Sequence, residues 1–176
     1  KYSFIKKDIN DLEELPYANY IAHFAAESHV DNSIKDGFVF KYNYGFIPEI
    51  LCGDGDPQDV MILNTKPLEQ GKTYQCRAVG IIELLDRGEE DNKLLAVVID
   101  DPEAKDITDI SSLLEKDFQD FKDFYAEIAR QKNKTMEILG FHDKERALSE
   151  LQKVYLYYCY VLSLLLLHLI SIFLPF

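Results

Sequence analysis

At 176 residues, 47% of them hydrophobic and 28% charged, the chain has the size and composition of one folded domain, which excludes a disordered tail for its bulk. Lys and Arg total 19 against 31 Asp and Glu, a formal net charge of −12. That balance excludes general binding to nucleic acid or to anionic membrane surfaces, because both need positive charge to meet phosphates, and it favours cation binding.

The stretch KYSFIKKDINDLEELPY at residues 1–17 has no apolar run of secretory length before its acids. Three Cys, at 52, 76 and 159, are too few and too scattered for a disulfide framework or a CxxC zinc site, and a reducing compartment is the default. Residues 36–100 read as a β-rich block. Phe38-Val39-Phe40, Val60 to Leu63, Thr73 to Leu85 and Leu94 to Ile99 are aromatic, β-branched or aliphatic runs, punctuated by Gly and Asp at 53–56, 71 and 86–88. Short strands at this spacing predict a small barrel or sandwich. Between them, Tyr42 to Pro48 reads as tyrosines beside a turn.

After residue 105 the period changes. Ile110, Leu113, Leu114, Phe118, Phe121, Tyr125 and Ile128 step by three and four, the stripe of an amphipathic helix, with Ser111 or Asp109 as its cap. Asp143 to Lys153 predicts a second helix that turns Ala147, Leu148 and Leu151 inward. Strands followed by helices give an α+β class for a domain over 1–153, whose first 35 residues are the divergent part. From Val154 to Phe176 there are 23 residues without Asp, Glu, Lys or Arg, long enough to span a hydrocarbon core as a helix. Three readings stand for this tail: a C-terminal membrane anchor, a segment foreign to the domain, or a buried helix.

The densest chemical feature is Gly53-Asp54-Gly55-Asp56-Pro57-Gln58-Asp59-Val60. Three carboxylates in six residues repel one another unless a cation compensates, and hard divalent cations such as Mg²⁺ prefer oxygen ligands. A calcium EF-hand loop is excluded, since counting from Asp54 its sixth and twelfth positions hold Asp59 and Thr65 rather than Gly and Glu. Asp86 to Lys93 forms a second acidic group, read either as a charged hairpin loop or as further ligands with a phosphate contact. Cys52 adjoins the first group, but hard Mg²⁺ does not choose sulfur. His23 and His29 match neither zinc spacing nor a triad and read as packed or surface residues, and His142, after Phe141 at a helix start, reads as a local polar contact.

Together NYGFIPE (43–49), DGDPQDVMIL (54–63), CRAVG (76–80), DRGEEDNKLLAV (86–97), DPEAKDITDI (101–110) and the aromatic helix ending at Phe124-Tyr125 resemble the soluble, Mg²⁺-dependent inorganic pyrophosphatases, over Val39 to Leu151. The resemblance implies a five-stranded OB-like β-barrel flanked by two helices, and hydrolysis of inorganic diphosphate to two phosphates. It implies that Asp54, Asp59, Asp86 and Asp91 ligate Mg²⁺, that Asp56 is the catalytic base at the attacking water, and that Tyr44, Lys93 and Tyr125 contact substrate phosphates. It also implies a cytoplasmic homo-oligomer, the alternative being attachment to a membrane through 154–176.

The chain departs from the family pattern mostly where cations are expected. Asn32 falls where the family has Arg, Ala126 replaces the Lys after Tyr125, Phe40 replaces a Tyr and Arg87 an acid. The metal side is thus largely intact and the phosphate-binding cationic side depleted, with Lys132 and Lys134 as candidates to replace the missing Lys in part. That leaves a second expectation, a catalytically impaired relative acting as a metal- or phosphate-binding or association module.

Overall fold

The computed structural model describes residues 20–23, 42–52, 56–64, 66–69 and 71–153. The expected strand at Phe38–Phe40 and the three readings of 154–176 lie outside those residues. Among the described residues, no helix is long and apolar enough to cross a membrane.

The elements in order are β1 (Tyr20–His23), β2 (Asn43–Leu51), β3 (Pro57–Ile62), β4 (Thr73–Asp86), β5 (Glu89–Glu90), β6 (Lys93–Val98), a 3-10 turn (Ile110–Ser112), α1 (Glu115–Lys132) and β7 (Met136–His142). Residues 144–153 are helical. The α+β class stands. Strand order runs β1-β2-β3-β6-β4-β5, with β7 on β4 and a further pairing of β1 with β4. All pairings are antiparallel except β3 with β6.

The sheet is apolar on both faces, so its inner strands read as nearly continuous hydrophobic runs. One face gathers Val60, Ile62, Cys76, Ala78, Ile81, Leu94 and Ala96 with Ala147 and Leu151 of the 144–153 helix. The other gathers Met61, Val79, Ile82, Leu84, Leu95 and Val97 with Phe121, Phe124 and Tyr125 of α1. Strict alternation along β4 would put Val79 and Ile82 on opposite faces. A register shift between Ala78 and Gly80 inserts one extra residue and lets both face α1.

Gly80 permits a second close approach. A Cβ there would lie 2.7 Å from the His142 carbonyl oxygen and 3.0 Å from the Ile110 side chain, so the missing side chain is what lets β7 and the 3-10 turn close on β4. Arg77 fastens the intervening loop, its Nη2 donating to the Ile107 carbonyl at 2.8 Å.

Three boundaries correct the sequence reading. Tyr42 to Pro48 is not a turn: Asn43–Leu51 is a strand, and its register breaks between Ile47 and Leu51, around Pro48, which has no N–H to give a ladder. The first helix begins at Glu115, not near Ile110, because Asp109 caps a separate 3-10 turn through Ser111 N. The Leu114 N–H is taken instead by Asp117 Oδ2 at 3.0 Å. Phe141-His142, read as a helix start, instead ends the strand Met136–His142, and His142 Nε2 lies 2.9 Å from Glu83 Oε2. The second helix is as expected, with Asp143 Oδ1 accepting from Arg146 N at 2.9 Å and Ala147 and Leu151 buried.

Two outcomes follow. Gly80→Ala drives a methyl into backbone, and the urea midpoint should fall by an amount equivalent to about 1–3 kcal/mol. Asp109 also accepts from Lys144 N at 3.2 Å, and hydrogen bonding from the Ser111 backbone first holds its carboxyl below the usual range. Its folded pKa is depressed, so its contribution is complete above about pH 4, the unfolded value, and is lost as pH falls through the folded one. Asp109→Ala should therefore cost about 0.5–1 kcal/mol at pH 7, and the gap in melting temperature to wild type should close at acid pH.

Candidate functional site

Pairing geometry builds the site before any side-chain contact is considered. Phe46 lies opposite Asp59 and Tyr44 opposite Met61, and directly opposed residues share a face. In the parallel pair Val60 meets Leu94 and Met61 meets Leu95, which brings Asp59 beside Lys93. Tyr44, Asp59 and Lys93 therefore stand on the face that α1 covers, where Tyr125 is buried.

Lys93, only 4% exposed, places its Nζ 2.5 Å from Asp59 Oδ2 and 2.5 Å from Asp91 Oδ1. Burial pulls this ammonium toward its neutral form, but the charges and hydrogen bonds of the two aspartates outweigh it and hold its pKa above the ordinary value. The Asp91 carboxyl is also pushed up, first by burial and then, against the Lys93 charge, by Asp59 and Asp86. Both shifts favour a bound proton, and the single ammonium of Lys93 faces two carboxylates. The Tyr44 hydroxyl hydrogen-bonds Asp59, and burial, Tyr125 and the two aspartates raise it well above the usual phenol value. Burial and the same aspartates raise Tyr125, whose hydroxyl has no partner among the described residues.

Asp86 ends β4 and pairs through Oδ2 with Lys134 Nζ. Its Oδ1 is buried without a partner among the described residues. Asp56 is exposed and opens β3, where its carbonyl accepts from Cys52 N at 2.7 Å and closes the turn between β2 and β3. Asp54 lies outside the described residues. Among the described residues, no three His, Cys, Asp or Glu side chains are placed to hold one cation. The structure thus brings together Tyr44, Asp59, Asp91, Lys93 and Tyr125 and sets Asp86 within their field.

Two residues that support the site, Gln58 and Asn92, escaped the sequence reading, while Lys134 neutralises Asp86 from just beyond α1. Gln58 is buried and donates to the Asn92 carbonyl at 2.8 Å, while Leu84 N donates to Asn92 Oδ1 at 3.1 Å. Gln58 and Asn92 thereby lock the acidic loop between β3 and β4 and fix Asp91 against Asp59. The available sign was a Gln two residues before Val60 and four before Ile62, on the same strand face as these core residues, which asks for a polar partner inside.

The comparisons with known proteins agree with one another. A family model described as inorganic pyrophosphatase matches residues 2–158. A soluble inorganic pyrophosphatase 3 of Arabidopsis thaliana is 37% identical over 123 residues, 70% of this chain and 57% of the relative. A soluble inorganic pyrophosphatase of Zea mays is 38% identical over 112 residues, 64% of this chain and 52% of the relative. The chain thus spans little more than half the length of these relatives. Among solved structures, the inorganic pyrophosphatase of Helicobacter pylori superposes with a TM-score of 0.69 at 30% identity, covering 81% of this chain and 87% of that one. That of Thermus thermophilus gives 0.67 at 31%, covering 74% and 76%. With its strand order, its buried Asp–Lys–Asp cluster and these likenesses, the chain belongs to the inorganic pyrophosphatase family.

Proposed function

We propose that the chain hydrolyses inorganic diphosphate to two phosphates with Mg²⁺, through a site in a domain over 1–153. The convergence of Asp59, Asp91 and Lys93 with two buried tyrosine hydroxyls is the observation that carries this reading. The donor set suits a hard cation, being all carboxylate oxygen. Asp86 Oδ1 is buried and unpartnered among the described residues, and the Asp91 carboxyl is pushed up first by burial and then by Asp59 and Asp86. Asp54, Asp59, Asp86 and Asp91 are the residues that would hold the metal. Bound there, Mg²⁺ supplies neutralisation of the diphosphate charge and activation of water.

The chain's own groups do the rest. Asp56, exposed at the start of β3, takes the proton from the attacking water. An oxygen–phosphorus bond forms, the bridging phosphorus–oxygen bond breaks, and the second phosphate leaves. Tyr44, Lys93 and Tyr125 orient the phosphoryl oxygens from the covered face, and α1 excludes bulk water there. The circuit of pairings from β1 through β2, β3, β6 and β4 back to β1 supports reading the sheet as a curled OB-like barrel with β5 and β7 as additions. A cytoplasmic, homo-oligomeric protein is part of the same proposal.

One observation favours a second reading, a catalytically impaired relative. Ala126 is an exposed apolar residue where the family pattern places a cation. Turnover of the purified protein indistinguishable from buffer, with Mg²⁺ still raising the melting temperature by mass action, would select it.

Phosphate release from diphosphate with and without Mg²⁺ is the deciding assay. Asp56→Asn should slow Mg²⁺-dependent release by about 10²–10⁴-fold, and an unchanged rate would overturn the assignment of the base. Lys93→Met strands two carboxylates beside a buried apolar chain and should cost about 3–5 kcal/mol at pH 7. Millimolar Mg²⁺ should then recover more melting temperature in the variant than in wild type, since only the variant lacks the internal cation.

A further inference from the structure

The cations inside the site are already engaged: Lys93 by Asp59 and Asp91, Lys134 by Asp86. Two others at its rim are not. Neither Lys132, in the last turn of α1, nor Arg87, in the turn between β4 and β5, has an acidic partner among the described residues. The two turns are fastened together. Arg87 N donates to the Thr135 carbonyl at 2.9 Å, Asp86 pairs with Met136 in the β4–β7 register, and Lys134 reaches back to Asp86 from between them. Lys132 is exposed, yet it lies in the field of this cluster. Burial of its stem, then Lys134, and further Lys93 and Arg87, lower its pKa against the opposing pull of Asp86. Lys132 is thus repelled by the neighbouring cations more than it is drawn by Asp86, a repulsion that an anion held between them relieves.

The backbone at Arg87 adds a separate observation. Arg87 and Gly88 have φ of 54° and 87°, the two positive values of a tight two-residue hairpin turn that favours Asn-Gly. An Arg there bears steric strain that Asn or Gly would relieve. A strained turn that holds a guanidinium beside a phosphate-binding site points to a use for its charge, since guanidinium geometry matches phosphate oxygens.

We propose that Lys132 and Arg87 together hold a phosphoryl group of diphosphate, supplying from the β4–β5 turn and the end of α1 the cationic contact that Ala126 lacks. The inference rests on the diphosphate reading and names two positions at which the family resemblance implies no substrate contact. Lys132 and Arg87 act as substrate-binding residues, not as proton carriers.

The test pairs steady-state hydrolysis of diphosphate in Mg²⁺ with calorimetric binding of methylenediphosphonate, whose bridge cannot be hydrolysed, on the full chain. Lys132→Gln should raise KM and weaken analogue binding about tenfold, the worth of one charge-assisted contact, with Lys132→Arg restoring most of it. Arg87→Asn should weaken binding similarly while melting no lower than wild type, because Asn suits the turn; a merely structural Arg would not separate the two readouts. Lys122→Gln, whose ammonium lies 5.9 Å from the Phe141 ring centroid, serves as control and should change neither. An active wild type whose Lys132→Gln and Arg87→Asn variants keep its KM and analogue affinity overturns the inference alone. An inactive wild type that binds the analogue through Lys132 overturns the hydrolase reading and supports the pair. A folded wild type that neither turns over nor binds overturns both.

Discussion

One buried ammonium between two carboxylates governs how the rest of the site is arranged. Asp59 and Asp91 repel one another in a half-buried pocket unless a cation lies between them, and Lys93 is the cation the chain itself provides. An ammonium so enclosed is stable only with both partners in place, because a lone buried charge costs several kcal/mol. This requirement fixes the register. Only the parallel alignment of β3 with β6 brings Asp59 beside Lys93 while the loop ahead of β6 carries Asp91 to the same nitrogen. A slip of one residue would turn Lys93 to the other face, into the cluster of Val60, Leu94 and Ala96.

That alignment is held from outside the site. Gln58, one residue before Asp59 and therefore on the opposite face, donates to the Asn92 carbonyl, one residue before Lys93. The ion triad on one face and the amide clamp on the other fasten the same two strands. The bulge at Val79–Gly80 serves the same end further along β4. It turns Ile82 and Leu84 toward α1, so the helix that carries Tyr125 has an apolar bed, and it admits the 3-10 turn and β7 against Gly80. Phe121, fully buried among Tyr42 and Phe141, is the anchor of that bed, and Tyr125 follows it by one turn onto the aspartates.

How much of this could be read from the residues depends on whether the cause was local. β3, β4 and β6 were legible because each is a run of β-branched and aliphatic residues between turn residues, and the 144–153 helix because its cap and apolar spacing lie within it. β2 was not, since Gly45 and Pro48 are ordinary turn residues and only pairing with β3 makes NYGFIPEIL a strand. β7 reads poorly for a related reason: it adds to the edge of β4 beyond the main circuit, and Leu139 stays exposed. The acidic residues were legible as a set, because their density needs a compensating cation wherever they sit. Their partners were not. Nothing in the sequence joins Lys134 to Asp86 across 48 positions, and nothing local says that Gln58 meets Asn92.

The same contrast bears on the missing cations. A comparison position by position along the chain finds Ala126 without charge and concludes that a phosphate contact is gone. The fold replaces that position by a place. The left-handed residue Asn133 stops α1 with its N–H on the carbonyls of Ala129 and Arg130, and the chain turns back at once toward Asp86. On the proposed reading, a cation on the last helical turn serves the site that one at position 126 would otherwise serve. Helix geometry favours positive charge at that end, where the unsatisfied carbonyls gather, while burial of its stem and the neighbouring Lys134 hold the Lys132 pKa down. Whether a contact is conserved in such a site is a question about the space around Lys93 and not about the column in which a lysine once stood.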